Sequence, residues 1–193
     1  MTGKRIVVGV TGASGAALAL ETLRQLREAG SEAHLVVSRC ARLTIRHELG
    51  GDGLDRLTTL ACHVHRAEDL GAPIASGSFP ADGMAVVPCS MRSLAAMAHG
   101  LGDNLVTRAA DVTLKERRRL VICPREAPLH EGHLNAMLAL TRMGAIIAPP
   151  VPPFYARCVT MEDAVREISA RILNWLGIEP GMNMSRWKGG EHP

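Results

Sequence analysis

The chain has 193 residues, 47% of them hydrophobic and 21% charged. That balance allows one domain with a full core and excludes wholesale disorder. The net charge of +3 is scattered apart from Lys115–Arg119, and only two Trp, one Tyr and two Phe are present, which excludes a nucleic-acid binder that stacks bases.

In chain order, Met1–Arg5 leads into an apolar run too short for a signal-peptide core or a membrane span. Cys40, Cys62, Cys89, Cys123 and Cys158 are widely spaced with no CxxC pair. Together these features predict a cytoplasmic protein with reduced thiols, no disulfide frame and no membrane segment. His63 and His65 stand two apart, and His130 and His133 lack a nearby Cys or Asp set, so no metal site is expected.

Arg5–Val10 reads as the first strand and Ala16–Ala29 as the first helix, stopped by Gly30. Ala33–Val37 is the second strand and Ala41–Leu49 a helix, broken by Gly50-Gly51-Asp52-Gly53. The stretch through Pro80 reads as loop, with one short strand near His63–His65. Met84–Val87 is a strand, Ser90–His99 and Leu105–Glu116 are helices, and Leu120–Cys123 is a strand. Leu129–Met143 is a helix and Ala145–Ala148 a strand. Thr160, with Asp163 three residues on, caps a last helix to Leu176, whose buried stripe is Val165, Ile168, Ile172 and Leu176. This order predicts a three-layer αβα doubly wound, Rossmann-like parallel sheet, with ligands beyond the carboxyl ends of the strands.

Four strand ends carry candidate chemistry. The first, Gly9–Ala16, has small residues that let backbone amides approach a ligand at a helix amino end. Its G-x-x-G-x-x-G spacing is not the dinucleotide fingerprint, the second strand ends in Val37-Ser38-Arg39 without a ribose-binding acid, and Tyr155 has no YxxxK partner. In Val87–Ser93, Ser90 caps a helix while Arg92 stands in its first turn; a cation beside the positive dipole end points to an anion between them. Arg125-Glu126 follows the strand ending at Cys123 and offers a phosphate clamp beside a proton acceptor. Ala148–Tyr155 holds four prolines, which predict a rigid extended loop presenting Tyr155. Arg171 lies at the border of the last apolar stripe, where a cation snorkels or reaches inward.

TGASGA (Thr11–Ala16), PCSMRS (Pro88–Ser93), RAADVTLKERRRLVICPREAPL (Arg108–Leu129), PPVPPFY (Pro149–Tyr155) and Arg186-Trp187 together closely resemble the UbiX-like flavin prenyltransferases, over about residues 4–187. The resemblance implies a single flavin-binding domain over 1–193, with 177–193 a carboxyl-terminal extension. It implies that reduced FMN is alkylated at N5 by dimethylallyl monophosphate and closed onto C6, giving prenylated FMN for a UbiD-type decarboxylase. By matching positions, Gly12, Ala13, Ser14, Ser38, Ser90, Met91, Arg92, Ser93 and Arg125 would hold FMN. Lys115, Arg125, Tyr155 and Arg171 would grip the dimethylallyl phosphate. Ser14 and Glu48 would manage protons near N5, and Glu126, with Lys115, would act near the departing phosphate. The resemblance also implies a homo-oligomer, a dodecamer with sites shared between subunits. Arg92-Ser93 replaces the family's usual Lys-Thr, keeping charge and hydroxyl, and Ala156-Arg157-Cys158 replaces His-Arg-Pro. The chain has no Asp-rich motif such as DDxxD, which suits a monophosphate donor and a metal-free site built from cations and hydroxyls.

Two rival readings keep the fold. One is an FMN-dependent cysteine-type decarboxylase, with Gly181–Met184 superficially like that family's Met-Asn-rich loop but without its surrounding pattern. The other is a non-catalytic FMN carrier or accessory subunit, for which Lys115, Glu126, Tyr155 and Arg171 would be superfluous.

Overall fold

The alternation of β-branched runs with amphipathic stretches resolves into six strands and seven helices in the computed structural model, which describes residues 3–181, 184–187 and 189. The elements run β1 (Arg5–Val10), α1 (Ala16–Glu28), β2 (Glu32–Val37), α2 (Arg39–Leu49), α3 (Gly53–Leu60), β3 (His63–Arg66), β4 (Gly83–Cys89), α4 (Met91–Ala98), α5 (Leu105–Lys115), β5 (Arg119–Pro124), α6 (Glu131–Arg142), β6 (Ile146–Ile147) and α7 (Met161–Trp175). All strand pairs are parallel, in the order β3-β2-β1-β4-β5-β6. The chain winds outward from β1 to β3 and then returns to β4 beside β1. Their carboxyl ends therefore flank the switch point of a doubly wound sheet, where such folds open a crevice.

Successive strand residues face opposite sides, so each strand feeds two cores. Ile6, Val8 and Val10 pack with Leu23, Leu26, Ile45, Leu57, Ile172 and Leu173 under α1, α2, α3 and α7. Val7, Met84, Val86 and Ile122 pack with Leu94, Leu105, Val106 and Leu140 under α4, α5 and α6. Fully burying one such side chain contributes roughly 1.5–3 kcal/mol. Cys89 and Cys123 sit inside these layers, and burial pushes both thiols up, Cys123 to about 12.

Two expectations change here. Gly53 does not break the chain but opens α3: a Cβ on it would lie 2.7 Å from Leu49 Cβ and 3.1 Å from Ile45 Cγ2. The glycine permits close approach of α3 to α2, and Leu57 secures the helix in the core. Tyr155 does not sit in a purely extended loop, because Phe154–Ala156 form one 3-10 turn that ends at Arg157 in the left-handed region. The capping box of the last helix is present as read: Thr160 Oγ1 accepts from Asp163 N at 3.1 Å, and Asp163 Oδ2 accepts from Thr160 N at 3.0 Å. The motif Gly181–Met184 includes Met182 and Asn183, which lie outside the described residues. Among the described residues no helix is long and apolar enough to cross a membrane.

Candidate active site

The ends of β1 and β4 are fastened by Thr11. Its N–H and its hydroxyl both donate to Pro88 O, at 3.2 and 3.0 Å, while Oγ1 accepts from Ser90 N at 2.7 Å. The residue is 1% exposed, so these bonds proceed in a low dielectric where a lost partner is costly. Ser90 then caps α4 as its position suggests: its Oγ accepts from Ser93 N at 3.4 Å and donates to Ser93 Oγ at 3.2 Å.

The turn Gly12–Gly15 leads into α1 through Gly15, at φ 117, a left-handed conformation that favours glycine. Gly15 has no side chain to cap the helix, and Glu48, from the last turn of α2, supplies the acceptor. Its Oε2 takes Ala16 N at 2.7 Å and Gly15 N at 2.9 Å. Burial pushes this carboxyl up, but the Ser14 hydroxyl, the two amides and nearby Arg125 outweigh it, and the group lies below its ordinary value. Ser14 and Glu48, paired by resemblance, are thus in hydrogen-bonding contact, and Arg125 is close enough to lower the Glu48 carboxyl. Gly12 packs on α2, since a Cβ there would lie 2.7 Å from Cys40 Cβ. Ser38 caps α2, accepting from Ala41 N at 3.3 Å.

Between these elements lies a cleft of about 650 Å³, lined by Gly12, Ser38, Cys40, Ser90, Arg92, Ser93, Asp103 and Asn104 among others. Its size falls in the range of cofactor clefts. Serine hydroxyls, a guanidinium and a helix amino end at one point are a donor set suited to a phosphate monoester, which FMN carries. Ala13 is buried behind the turn and Met91 half-buried in the first turn of α4. The anion inferred beside Arg92 from the helix dipole is, within the chain, a carboxylate: Arg92 forms an ion pair with Asp103.

A second, smaller recess of about 200 Å³ opens at the β6 end, lined by Ala148, Pro149, Tyr155, Arg171, Trp175 and Ser185 among others. Arg171 lies 5.6 Å from the Trp175 ring centroid, and Tyr155 meets Trp187 edge to face at 6.0 Å. Glu167 holds the returning tail, its Oε1 accepting from Ser185 Oγ at 2.9 Å and its Oε2 from Ser185 N at 3.1 Å. Tyr155 and Arg171, 16 positions apart in sequence, therefore share one small pocket. Arg125 and Glu126 stand between the two recesses at the exposed β5 end. The Arg125 amide donates to Cys89 O at 3.1 Å, and Glu126 Oε1 accepts from Ala127 N at 3.1 Å.

Lys115 does not join them. It ends α5 just before β5 begins, at the amino ends of the strands and opposite the carboxyl ends that carry the site, where it pairs with Glu116. Thr11, Asp103 and Glu167 are missing from the residues singled out in sequence. Thr11 stands in the first-turn motif and reads there only as turn chemistry; the other two have no linear signal, because their partners come from distant elements.

Fold and site together define a flavoprotein-type αβα domain. The chain matches the family described as Flavoprotein over residues 1–175. It is 45% identical over 183 residues to the flavin prenyltransferase UbiX of Archaeoglobus fulgidus, covering 95% of this chain and 99% of that one. A crystal structure of AnUbiX (PadA1) in complex with FMN and dimethylallyl pyrophosphate superposes at TM-score 0.94 with 48% identity, over 98% of this chain and 100% of that one. A dodecameric FMN-dependent UbiX-like decarboxylase from Escherichia coli O157:H7 superposes at TM-score 0.91 with 46% identity, over 96% and 100%. The chain belongs to the UbiX flavin prenyltransferase family. A PPC decarboxylase, the type of protein behind the first rival reading, shares the fold alone, at TM-score 0.62 and 20% identity.

Proposed function

We propose that this chain is a flavin prenyltransferase that joins a dimethylallyl group from dimethylallyl monophosphate to N5 and C6 of reduced FMN. The observation that carries the reading is the pair of recesses along one sheet edge, one of flavin size with a phosphate donor set, the other small and bearing Tyr155 and Arg171. Reduced FMN supplies the nucleophilic nitrogen and the ring carbon; the bond to N5 forms as the prenyl carbon–oxygen bond breaks and phosphate leaves.

Ser90, Arg92 and Ser93 hold the flavin phosphate, with Arg92 leaving Asp103 to do so. Gly12, Ala13, Ser38 and Met91 line the remaining bed. Ser14 and Glu48 hold or move a proton near N5, Glu48 being kept ionised by the amides of α1 until a proton is delivered. Tyr155, Arg171 and Arg125 bind the donor phosphate and stabilise it as it departs, while Glu126 exchanges its proton. The far position of Lys115 supports a homo-oligomer, a dodecamer, in which a neighbouring copy lends this lysine to the site. The product serves a UbiD-type decarboxylase, and the protein works in the cytoplasm.

Anaerobic incubation with reduced FMN and dimethylallyl monophosphate, followed by mass analysis of the flavin, tests the reading. Flavin carrying one added dimethylallyl unit is expected, with or without EDTA. Unchanged flavin with either the monophosphate or the diphosphate would overturn it, and activity lost to EDTA and restored by magnesium would overturn its metal-free form.

A further inference from the structure

At the amino ends of β2 and β3, opposite the strand ends that open into the flavin cleft, residues that linear spacing keeps apart come together. His34 and His63 are partners in the β2–β3 register, Glu32 lies two residues before His34, and His65 lies two after His63. Strand residues two apart share a face, so all four side chains rise on the same side of the sheet. Glu32 Oε1 lies 3.0 Å from His34 Nε2 and 3.2 Å from His63 Nε2, and the three ligand atoms lie within 4.8 Å of one another. The imidazoles of His63 and His65 stack on that of His34, with centroids 4.5 and 5.3 Å away.

We propose that Glu32, His34 and His63 form a binding site for a divalent transition-metal ion of the zinc class, distinct from the flavin site. Two imidazoles and one carboxylate are a ligand set that leaves an open coordination position for water. Ligand atoms around a tetrahedral ion with bonds of about 2.0–2.1 Å stand ~3.3 Å apart, which the two Glu32 distances already match, while the His34 and His63 nitrogens lie within 4.8 Å of each other. The outer shell is already in place. His34 Nδ1 lies 3.0 Å from His65 Nε2, so the ring can donate there while Nε2 faces the ion, which fixes its tautomer and orientation.

Phe79 packs edge-on against His34 at 4.9 Å and holds that ring. The His34 side chain is 5% exposed and that of His63 55%, so the ion has a rigid inner ligand and an accessible outer one. Arg5 binds the other carboxylate oxygen, Nε to Oε2 at 3.0 Å. Its charge opposes a second cation and keeps affinity below that of four-ligand structural zinc sites.

The test uses the full-length, tag-free protein, with Zn²⁺ competed against a chromophoric chelator and Co²⁺ followed by its visible spectrum. One equivalent per chain is expected, with no thiolate charge-transfer band in the near ultraviolet. His63→Gln, at an exposed position, and Glu32→Gln should each weaken uptake at least tenfold, whereas His130→Gln should leave it intact. His65→Phe should weaken it less than loss of a direct ligand. The wild-type ion should raise the melting temperature and leave the rate of flavin conversion unchanged. No uptake by the wild type, equal uptake by His63→Gln and Glu32→Gln, or uptake abolished by alkylating the cysteines would overturn the proposal.

Discussion

Glu48, at the end of α2, caps α1 in place of a side chain that Gly15 does not have, its Oε2 accepting from Ala16 N at 2.7 Å. The same carboxylate touches the Ser14 hydroxyl and feels Arg125, so a fastening of the fold and the proposed proton-handling group are one residue. Its depressed pKa means that the folded state binds fewer protons there than the unfolded chain. The stabilisation is therefore present above the ordinary carboxylate pKa and is lost as pH falls through the lower, folded value. Melting temperature should drop more steeply on acidification in the wild type than in Glu48→Gln.

Glu48→Gln keeps one amide acceptor but cannot cycle a proton. Flavin conversion in this variant should slow by about two to four orders of magnitude with the fold retained, and Ser14→Ala should slow the same step. Single-turnover rates at saturating FMN and donor decide this; wild-type rates in both variants would remove these residues from proton handling.

Tyr155→Phe and Arg171→Ala should weaken use of the prenyl donor while leaving FMN affinity nearly unchanged. A charged hydrogen bond to phosphate contributes roughly 1.5–3 kcal/mol, so Arg171→Ala should cost about tenfold or more in donor affinity. If Tyr155 only anchors its loop and Arg171 only stacks on Trp175, the first change is nearly silent and the second lowers stability alone. Separate titrations of FMN and donor distinguish the cases.

Thr11→Val keeps shape but leaves Ser90 N without its acceptor at a buried site, a loss of about 1–3 kcal/mol. FMN affinity should fall with it, since Ser90 opens the turn proposed to hold the flavin phosphate. Thr11→Ser should restore both; denaturation midpoints and FMN titration of the two variants provide the check.

Mixed oligomers of Lys115→Ala and Arg171→Ala chains should recover flavin conversion well above that of either variant alone, because some sites then combine an intact lysine with an intact arginine. Activity no higher than the sum of the parents would place Lys115 outside the shared site.

The doubly wound order was legible because strand length, β-branching and helix spacing agree across the chain, and Ser90 and Thr160 announced their caps through residue type. Gly53 misled because a glycine that permits two helices to touch looks, in one dimension, like one that ends a helix. Arg92 reads in sequence as the sign of a bound anion, whereas within the chain it pairs with Asp103, 11 residues on and past the end of α4. The pairing of Tyr155 with Arg171 and the separation of Lys115 from both depend on which end of the strands each element reaches. Spacing cannot express that. The Glu32–His34–His63 cluster was invisible for the same reason, being created by the register of two parallel strands.

Four of the five thiols form two chemical populations, with Cys158 of intermediate exposure between them. Cys89 and Cys123, buried and held protonated, carry almost no thiolate at neutral pH and stay inert toward alkylating reagents. Cys40 and Cys62 are exposed, and Cys40 stands on the wall of the large cleft. A small fluorophore attached there would sit on the wall of this cleft, where flavin absorption quenches neighbouring emission, so flavin entering the cleft could be followed in real time. The same placement makes oxidative ageing a local event, reaching the mouth of the cleft long before the sheet.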